Sequence, residues 1–318
     1  MPSYPGIASQ AFKHPEDQQA EDALRSLPGF DLVASSFIEY LQERPQQIYL
    51  LGNNIKVGPR QYATVYGIFR DCLRDLSIYP KPDLYIAQNP QVNAYSLGHQ
   101  HPYIVLNTGL LELMNETELR VAIAHELGHI KCEHTILIQM AIWVMGAASL
   151  LGELTLGLGN LISSSLIFAF YEWRRKAELS ADRATLLLMG DLEPVFQTMM
   201  TLAGGTQKYQ HECSLAEFIR QAEQYQDLGQ DNLNQVYRFF VYNGSQGNFL
   251  THPFAVERLL LLKDWSTSAQ YQQIRQGNYP REGAKGAVNV ESQSEAEILR
   301  RQIQDLQEQI DRLRSQRK

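Results

Sequence analysis

A mainly helical α+β fold with a small mixed or antiparallel sheet follows from three features of the 318-residue sequence. Apolar residues recur at helical spacing through much of the chain, a few short β-branched segments are bounded by turn residues, and one mostly apolar helix-forming run carries two histidines four residues apart. With 44% hydrophobic residues the chain can bury a substantial core. A net charge of −7 argues against a nucleic-acid partner, which would call for a basic face. Cys72, Cys132 and Cys213 are odd in number and far apart, so neither a disulfide framework nor a thiolate zinc site is expected. The N-terminal stretch MPSYPGIASQAFKHPEDQQ has no cationic region leading into an apolar one. The expectation is therefore no signal peptide and a location on the cytoplasmic side.

Taken in order, residues 1–20 are polar and read as a loose leader, followed by one domain over 21–275. Residues 21–40 have helical spacing broken at Pro28-Gly29. IYLLG (48–52) and IKVG (55–58), separated by two asparagines, read as a hairpin, and 60–76 as an amphipathic helix with Tyr62, Val65, Ile68 and Leu73 on one side. DLYIAQ (83–88) and YIVL (103–106) read as strands, and 108–114 as a short helix. Asn115, with Glu118 three residues on, offers a capping box for a helix running through VAIAHELGHIKCEH (121–134).

On that helix His125 and His129 lie at i and i+4, on one face, where their imidazoles can share one tetrahedral ion. Glu126 stands beside the first of them as a base for an ion-activated water, and Gly128 leaves room for close packing beneath. A bare HExxH pattern also arises by chance, but the apolar flanks make two histidines and a glutamate costly to bury without a metal or partners. A third ligand must come from elsewhere. Position 135 is Thr and position 132 is Cys, which excludes the metzincin spacing, and His134 reads as a helix-surface residue. The run EWRRKAELSADRATLLLMG supplies Glu178, with Asp182 one turn later to orient a ligating imidazole. A solvated charged face beside Arg174, Arg175 and Lys176 is the plain alternative for this pair, and Glu172 is the next candidate ligand.

These residues, with Val92-Asn93-Ala94-Tyr95, YIVLNTGLL (103–111), Ala181, Thr251-His252-Pro253 and Glu257-Arg258 in the same order, resemble the zinc metallopeptidase family that contains the HtpX heat-shock membrane protease and the CAAX prenyl proteases, a gluzincin group. The resemblance covers roughly residues 80 to 260. It implies one zinc per chain bound by His125, His129 and Glu178, Glu126 as general base, Asp182 as a support, and His252 and Arg258 as further catalytic residues near the cleft. Read from the residues alone, His252 before a proline is a turn residue and Arg258 a helix-surface cation. The implied activity is hydrolysis of peptide bonds in protein substrates, in the quality control of membrane or misfolded proteins. Asn93, Ala94 and the strand Tyr103, Ile104, Val105 and Leu106 are the candidate substrate contacts, the strand as an edge to which an extended peptide adds.

Residues 136–170 form two apolar arms meeting at Gly152-Glu153 and read as a long helical hairpin whose base gathers the three ligands. Each arm has about 16 apolar residues against the roughly 20 that span a bilayer, so membrane association through 136–170 stands beside packing in the protein. Residues 276–294 read as a linker. In 295–318 Ala296, Ile303 and Ile310 alternate with Leu299, Leu306 and Leu313 at heptad positions, a coiled-coil helix for a homodimer or an amphipathic helix docked on its own domain. A non-catalytic zinc-binding scaffold or chaperone-like protein, using the hairpin and coiled coil to bind partners, is the alternative function.

Overall fold

A proline in the first helical position and a histidine cap before it start the first helix, α1 (Pro15–Arg25). The structure is a computed structural model and describes residues 2–40, 43–151, 164–229 and 255–282. The His14 ring accepts the Glu16 N–H at 3.2 Å, closing the N-terminus of α1. Gly29, at φ 92°, separates α1 from α2 (Phe30–Tyr40), where the sequence placed a break. The expected loose leader is instead packed. Tyr4, Ile7, Ala11 and Phe12 are buried, the Tyr4 N–H bonds the Asp75 carbonyl at 2.8 Å, and the Ala8 N–H bonds the Pro280 carbonyl at 2.9 Å. The polar residues of this stretch hide four apolar ones that fill the main core.

The expected first hairpin does not form. IYLLG belongs to α3 (Glu43–Asn53), and only Ile55–Lys56 pairs as β1. Helix-favouring Glu43, Arg44, Gln46 and Gln47, with a proline in the first turn, decide a run whose lack of polar alternation left it open. The amphipathic helix α4 (Ala63–Asp75) buries Val65, Phe69, Cys72 and Leu73.

β2 (Asp83–Ala87), β3 (Ala94–Leu97) and β4 (Tyr103–Asn107) join β1 in a mixed sheet of order β1-β2-β4-β3, parallel between β2 and β4 and antiparallel elsewhere. β4, expected as the free edge, has strands on both sides and is buried along its length. The apolar run YIVL is what a central strand needs, and the edges are the two-residue β1 and the more polar β3.

After α5 (Thr108–Leu113), Asn115 and Glu118 cap α6 (Glu116–Lys131) reciprocally. The Asn115 side chain accepts the Glu118 N–H at 3.0 Å, and the Glu118 carboxylate accepts the Asn115 N–H at 3.0 Å. α6 lies against α8 (Ser164–Met189), and Gly128 sets the approach: a Cβ there would stand 2.9 Å from both the Ala181 Cα and the Ala184 Cβ. Cys132 and Glu133, the latter at φ 60°, end α6 and turn the chain into α7 (His134–Leu151).

The long apolar helical hairpin expected over 136–170 is not found among the described residues. In the described parts of α7 and α8, Leu137, Met140, Val144, Leu166, Phe170 and Trp173 are buried in one cluster with Phe30, Val33 and Phe37 of α2. The amphipathic α2 covers them, at about 1.5–3 kcal/mol per large apolar side chain removed from water. The turn at Gly152-Glu153 lies outside the described residues. Among those residues no helix is long and apolar enough to cross a membrane. The basic run beside Glu178 is partly spent on internal pairs, Lys176 with Glu16 of α1 and Arg175 with Glu172.

α9 (Leu192–Gly204), α10 (Leu215–Gly229), α11 (Ala255–Ser266) and α12 (Ala269–Arg275) complete the described helices. The chain divides into residues 1–280 and 281–318. The heptads of 295–318 and His252 lie outside the described residues.

Candidate active site

α6 and α8 bring His125, His129 and Glu178 together with all three buried, one ligating atom from each lying within 4.8 Å of the others. Nε2 of His125 is 3.1 Å from Glu178 Oε2 and Nε2 of His129 is 3.3 Å from Oε1. The two rings stand nearly perpendicular, at 82° with centroids 4.9 Å apart. Two imidazole nitrogens facing one carboxylate are a donor set that could hold a divalent metal with one position left for water or substrate. Glu172 pairs with Arg175 and takes no part in the cluster.

Each histidine has its other nitrogen occupied. His125 Nδ1 is 3.2 Å from Asp182 Oδ1, and Arg258 grips the Asp182 carboxylate with Nε at 2.8 Å and Nη2 at 2.5 Å. Arg258 Nη1 also lies 3.4 Å from Glu178 Oε2. Arg258 is thus no surface cation; only 11% of its side chain is exposed. Burial would lower the His125 imidazole, but Glu178 and then Asp182 lift it to about 9, so an ion entering at His125 releases a proton. Burial would raise Asp182, and the Arg258 charge and hydrogen bonds hold it below the usual carboxylate range instead.

His129 is backed by His134, which the sequence placed on the helix surface. It is 1% exposed, with Nδ1 3.0 Å from His129 Nδ1 and Nε2 3.0 Å from Asp17 Oδ2. Glu133 is the reason. On one continuous helix residue 134 would point well away from residue 129, whereas the left-handed backbone at 133 restarts the helix and swings His134 inward. Asp17 and Ser180 were also missed. The five-residue spacing from His129 to His134 was visible in the sequence; nothing there pointed to Asp17.

A cleft of about 400 Å³ is lined by His125, Glu126, Asn93, Ala94, Arg258 and, from α9, Met199 and Leu202. Glu126 is 4% exposed and lines this cleft. α9 is tied to α6 by Thr201, whose hydroxyl donates to Glu118 at 2.7 Å. Tyr103, Ile104, Val105 and Leu106 lie inside the sheet, and of the two edge strands, β1 and β3, it is β3 that packs against α6.

Residues 59–266 match the model of Peptidase family M48. The plastoglobule-localized metallopeptidase 48, chloroplastic, of Arabidopsis thaliana is 32% identical over 83% of this chain and 74% of that protein. A Protease HtpX homolog of Thermoanaerobacter pseudethanolicus is 28% identical over 54% of this chain and 55% of its own, and one of Acidiphilium cryptum is 30% identical over 59% and 62%. The alignments with these two HtpX homologs thus span less than two thirds of those proteins. The chain belongs to peptidase family M48, and its class is that of a metallopeptidase.

Proposed function

We propose that the chain is a zinc-dependent endopeptidase acting on protein substrates bound in extended form, with one zinc held by His125, His129 and Glu178. The observation that carries this reading is that Glu126 lines the same cleft as His125, beside the three-residue cluster, with an open sheet edge alongside. Zinc, when bound, supplies a Lewis acid that acidifies water and polarises a carbonyl. Glu126 takes the proton of the attacking water and hands it to the departing amine. Asp182, fixed by Arg258, orients His125 rather than touching substrate, which makes Arg258 a support and not a reacting group. β3 offers its unpaired backbone to the peptide, with Asn93 and Ala94 at the point of entry and Val195, Met199 and Leu202 as an apolar wall for a side chain. Main-chain recognition of this kind selects for unfolded chains over particular sequences and suits clearance of misfolded proteins. We also propose that the outer face of α7 and α8, where Ile142 and Phe168 are exposed, touches a lipid surface, in keeping with the name of the Arabidopsis relative.

The test is Glu126→Gln. Zinc content should match the wild type while casein cleavage falls at least about a hundredfold, and chelation should abolish wild-type cleavage. Undiminished cleavage by the variant removes Glu126 as the base. Flotation with lipid vesicles, lost in a double Ile142→Asp, Phe168→Asp variant, tests the surface contact, and a wild type that does not float refutes it.

A further inference from the structure

We infer that Asp17 and His134 are positioning residues for the metal site, a carboxylate–imidazole relay that fixes the ring and tautomer of His129 and makes the N-terminal helix a working part of that site. This rests on the reading of His129 as a metal ligand.

The argument is one of proton placement. His129 presents Nε2 to Glu178, 3.3 Å away, and a neutral imidazole that ligates through Nε2 carries its proton on Nδ1. The only partner of that Nδ1 among the described residues is His134 Nδ1 at 3.0 Å, which must therefore accept. His134 then carries its own proton on Nε2 and donates it to Asp17 Oδ2 at 3.0 Å. A single arrangement satisfies every step. It needs a carboxylate at its far end, and Asp17 is held in place by the Ser180 hydroxyl, which donates to the same oxygen at 2.5 Å. Ser180 is in turn tied to α1 by the His14 N–H at 2.9 Å. His129, His134, Ser180 and Asp17 are between 0% and 3% exposed, so water competes at no point along the relay. The edge of Trp173 closes the remaining side of His134, at 86° and 5.7 Å between centroids. A buried aspartate and a buried neutral histidine are costly to fold around unless they serve each other and a third group, and the third group here is a metal ligand. A carboxylate at the end of the chain draws the His129 proton toward His134 and makes Nε2 a better donor to the ion.

The test is metal affinity in the full chain, measured on metal-stripped protein by competition for zinc with a chromophoric chelator and by the visible absorption of bound cobalt. The variants are Asp17→Asn, His134→Leu and His134→Asn. An asparagine at 134 puts an amide oxygen near the place of Nδ1, so it can still accept from His129, but it does not reach Asp17. His134→Leu should weaken zinc binding about 10–100-fold, Asp17→Asn about tenfold, and His134→Asn less than His134→Leu, each with an altered cobalt spectrum. A purely structural role would lower the unfolding midpoint while leaving the zinc dissociation constant and the cobalt bands alone. Dissociation constants within twofold of wild type in folded Asp17→Asn and His134→Leu overturn the inference. If His134→Leu does not fold, Asp17→Asn and Ser180→Ala decide by the same criterion. A His129→Ala variant that binds zinc as tightly as the wild type would instead remove the ligand assignment on which the inference stands.

Discussion

His125 and His129 sit one helical turn apart on α6, yet what stands behind each differs in kind. Behind His125 is a charged pair, Asp182 clamped by Arg258, with both partners contributed by helices that also wall the cleft. Behind His129 is an uncharged ring, His134, leading to a single carboxylate on α1, which packs against α8. Burial pushes His134 below the usual imidazole range, with the neighbouring His129 and Lys13 adding to it, although Asp17 pulls the other way. The first support is an ion pair that fails badly if one partner goes. The second is a hydrogen-bonded chain whose strength depends on where α1 docks. The site is therefore exposed to two separate kinds of damage.

Breaking the charged support should have the largest effect. Arg258→Met removes the bidentate partner of the buried Asp182 and leaves it the His125 ring, which should cost about 3–5 kcal/mol in urea unfolding of the metal-free protein. A loss under about 1 kcal/mol would show that Asp182 is not locked.

Acid should act on the root of the other support. His14 caps α1 as a neutral ring, and burial, followed by the charge of Arg183 and with Lys176 contributing, holds it at about 4 against the opposing pull of Glu16 and Asp17. Its ordinary value is 6.5, so between pH 6.5 and 4 the unfolded chain binds more protons than the folded one. Stability from this residue is complete above pH 6.5 and falls as the pH drops through that window, by at most about 3 kcal/mol. His14→Asn keeps a cap and cannot titrate, so its stability curve should be flatter over the same range; an unchanged slope refutes the assignment.

The spacing common to both supports can be tested with Gly128→Ala. The added methyl meets Ala181 and Ala184 of α8, which should cost about 1–3 kcal/mol and weaken metal binding, because α6 carries both histidines and α8 carries Glu178. Stability and affinity that both match the wild type would mean the helices can separate freely. Asn115→Ala, far from either support, should cost about 1 kcal/mol through the lost cap and leave metal affinity unchanged. A drop in affinity there would mean that fraying of α6 reaches the site.

The same contrast explains what could be read in the sequence. Part of the charged support repeats local rules: His125 and Glu126 are adjacent, and Glu178 and Asp182 lie one turn apart on one helix, so periodicity places these four, whereas Arg258, 76 residues beyond Asp182, reads from the residues alone as a helix-surface cation and is placed near the cleft only by the family resemblance. The α6 cap and the role of Gly128 were visible for the same reason. The chain behind His129 runs from residue 134 to residue 17, and its two bends, the left-handed Glu133 and the docking of α1, follow from no local pattern. Residues 48–52 and the central place of β4 were misread because short apolar runs suit a helix, an inner strand or an edge about equally until neighbours choose. For the apolar arms at 136–170 the sequence leaves membrane contact and packing in the protein both open, because Phe30, Val33 and Phe37, which cover their described parts, lie far away in the chain.

The joint at Cys132–Glu133 has one more consequence, which concerns phase. α7 leaves it with a fixed azimuth, and one residue added or removed there would turn the whole helix by about 100° about its axis. His134 would then leave His129, and Leu137, Met140 and Val144 would rotate out of the cluster they share with α2. The joint should therefore tolerate changes of identity, Glu133→Gly included because its backbone already adopts the left-handed conformation glycine prefers, while tolerating none in length. Two residues act as a gear tooth between the helix that carries the two site histidines and the helix that carries the apolar layer.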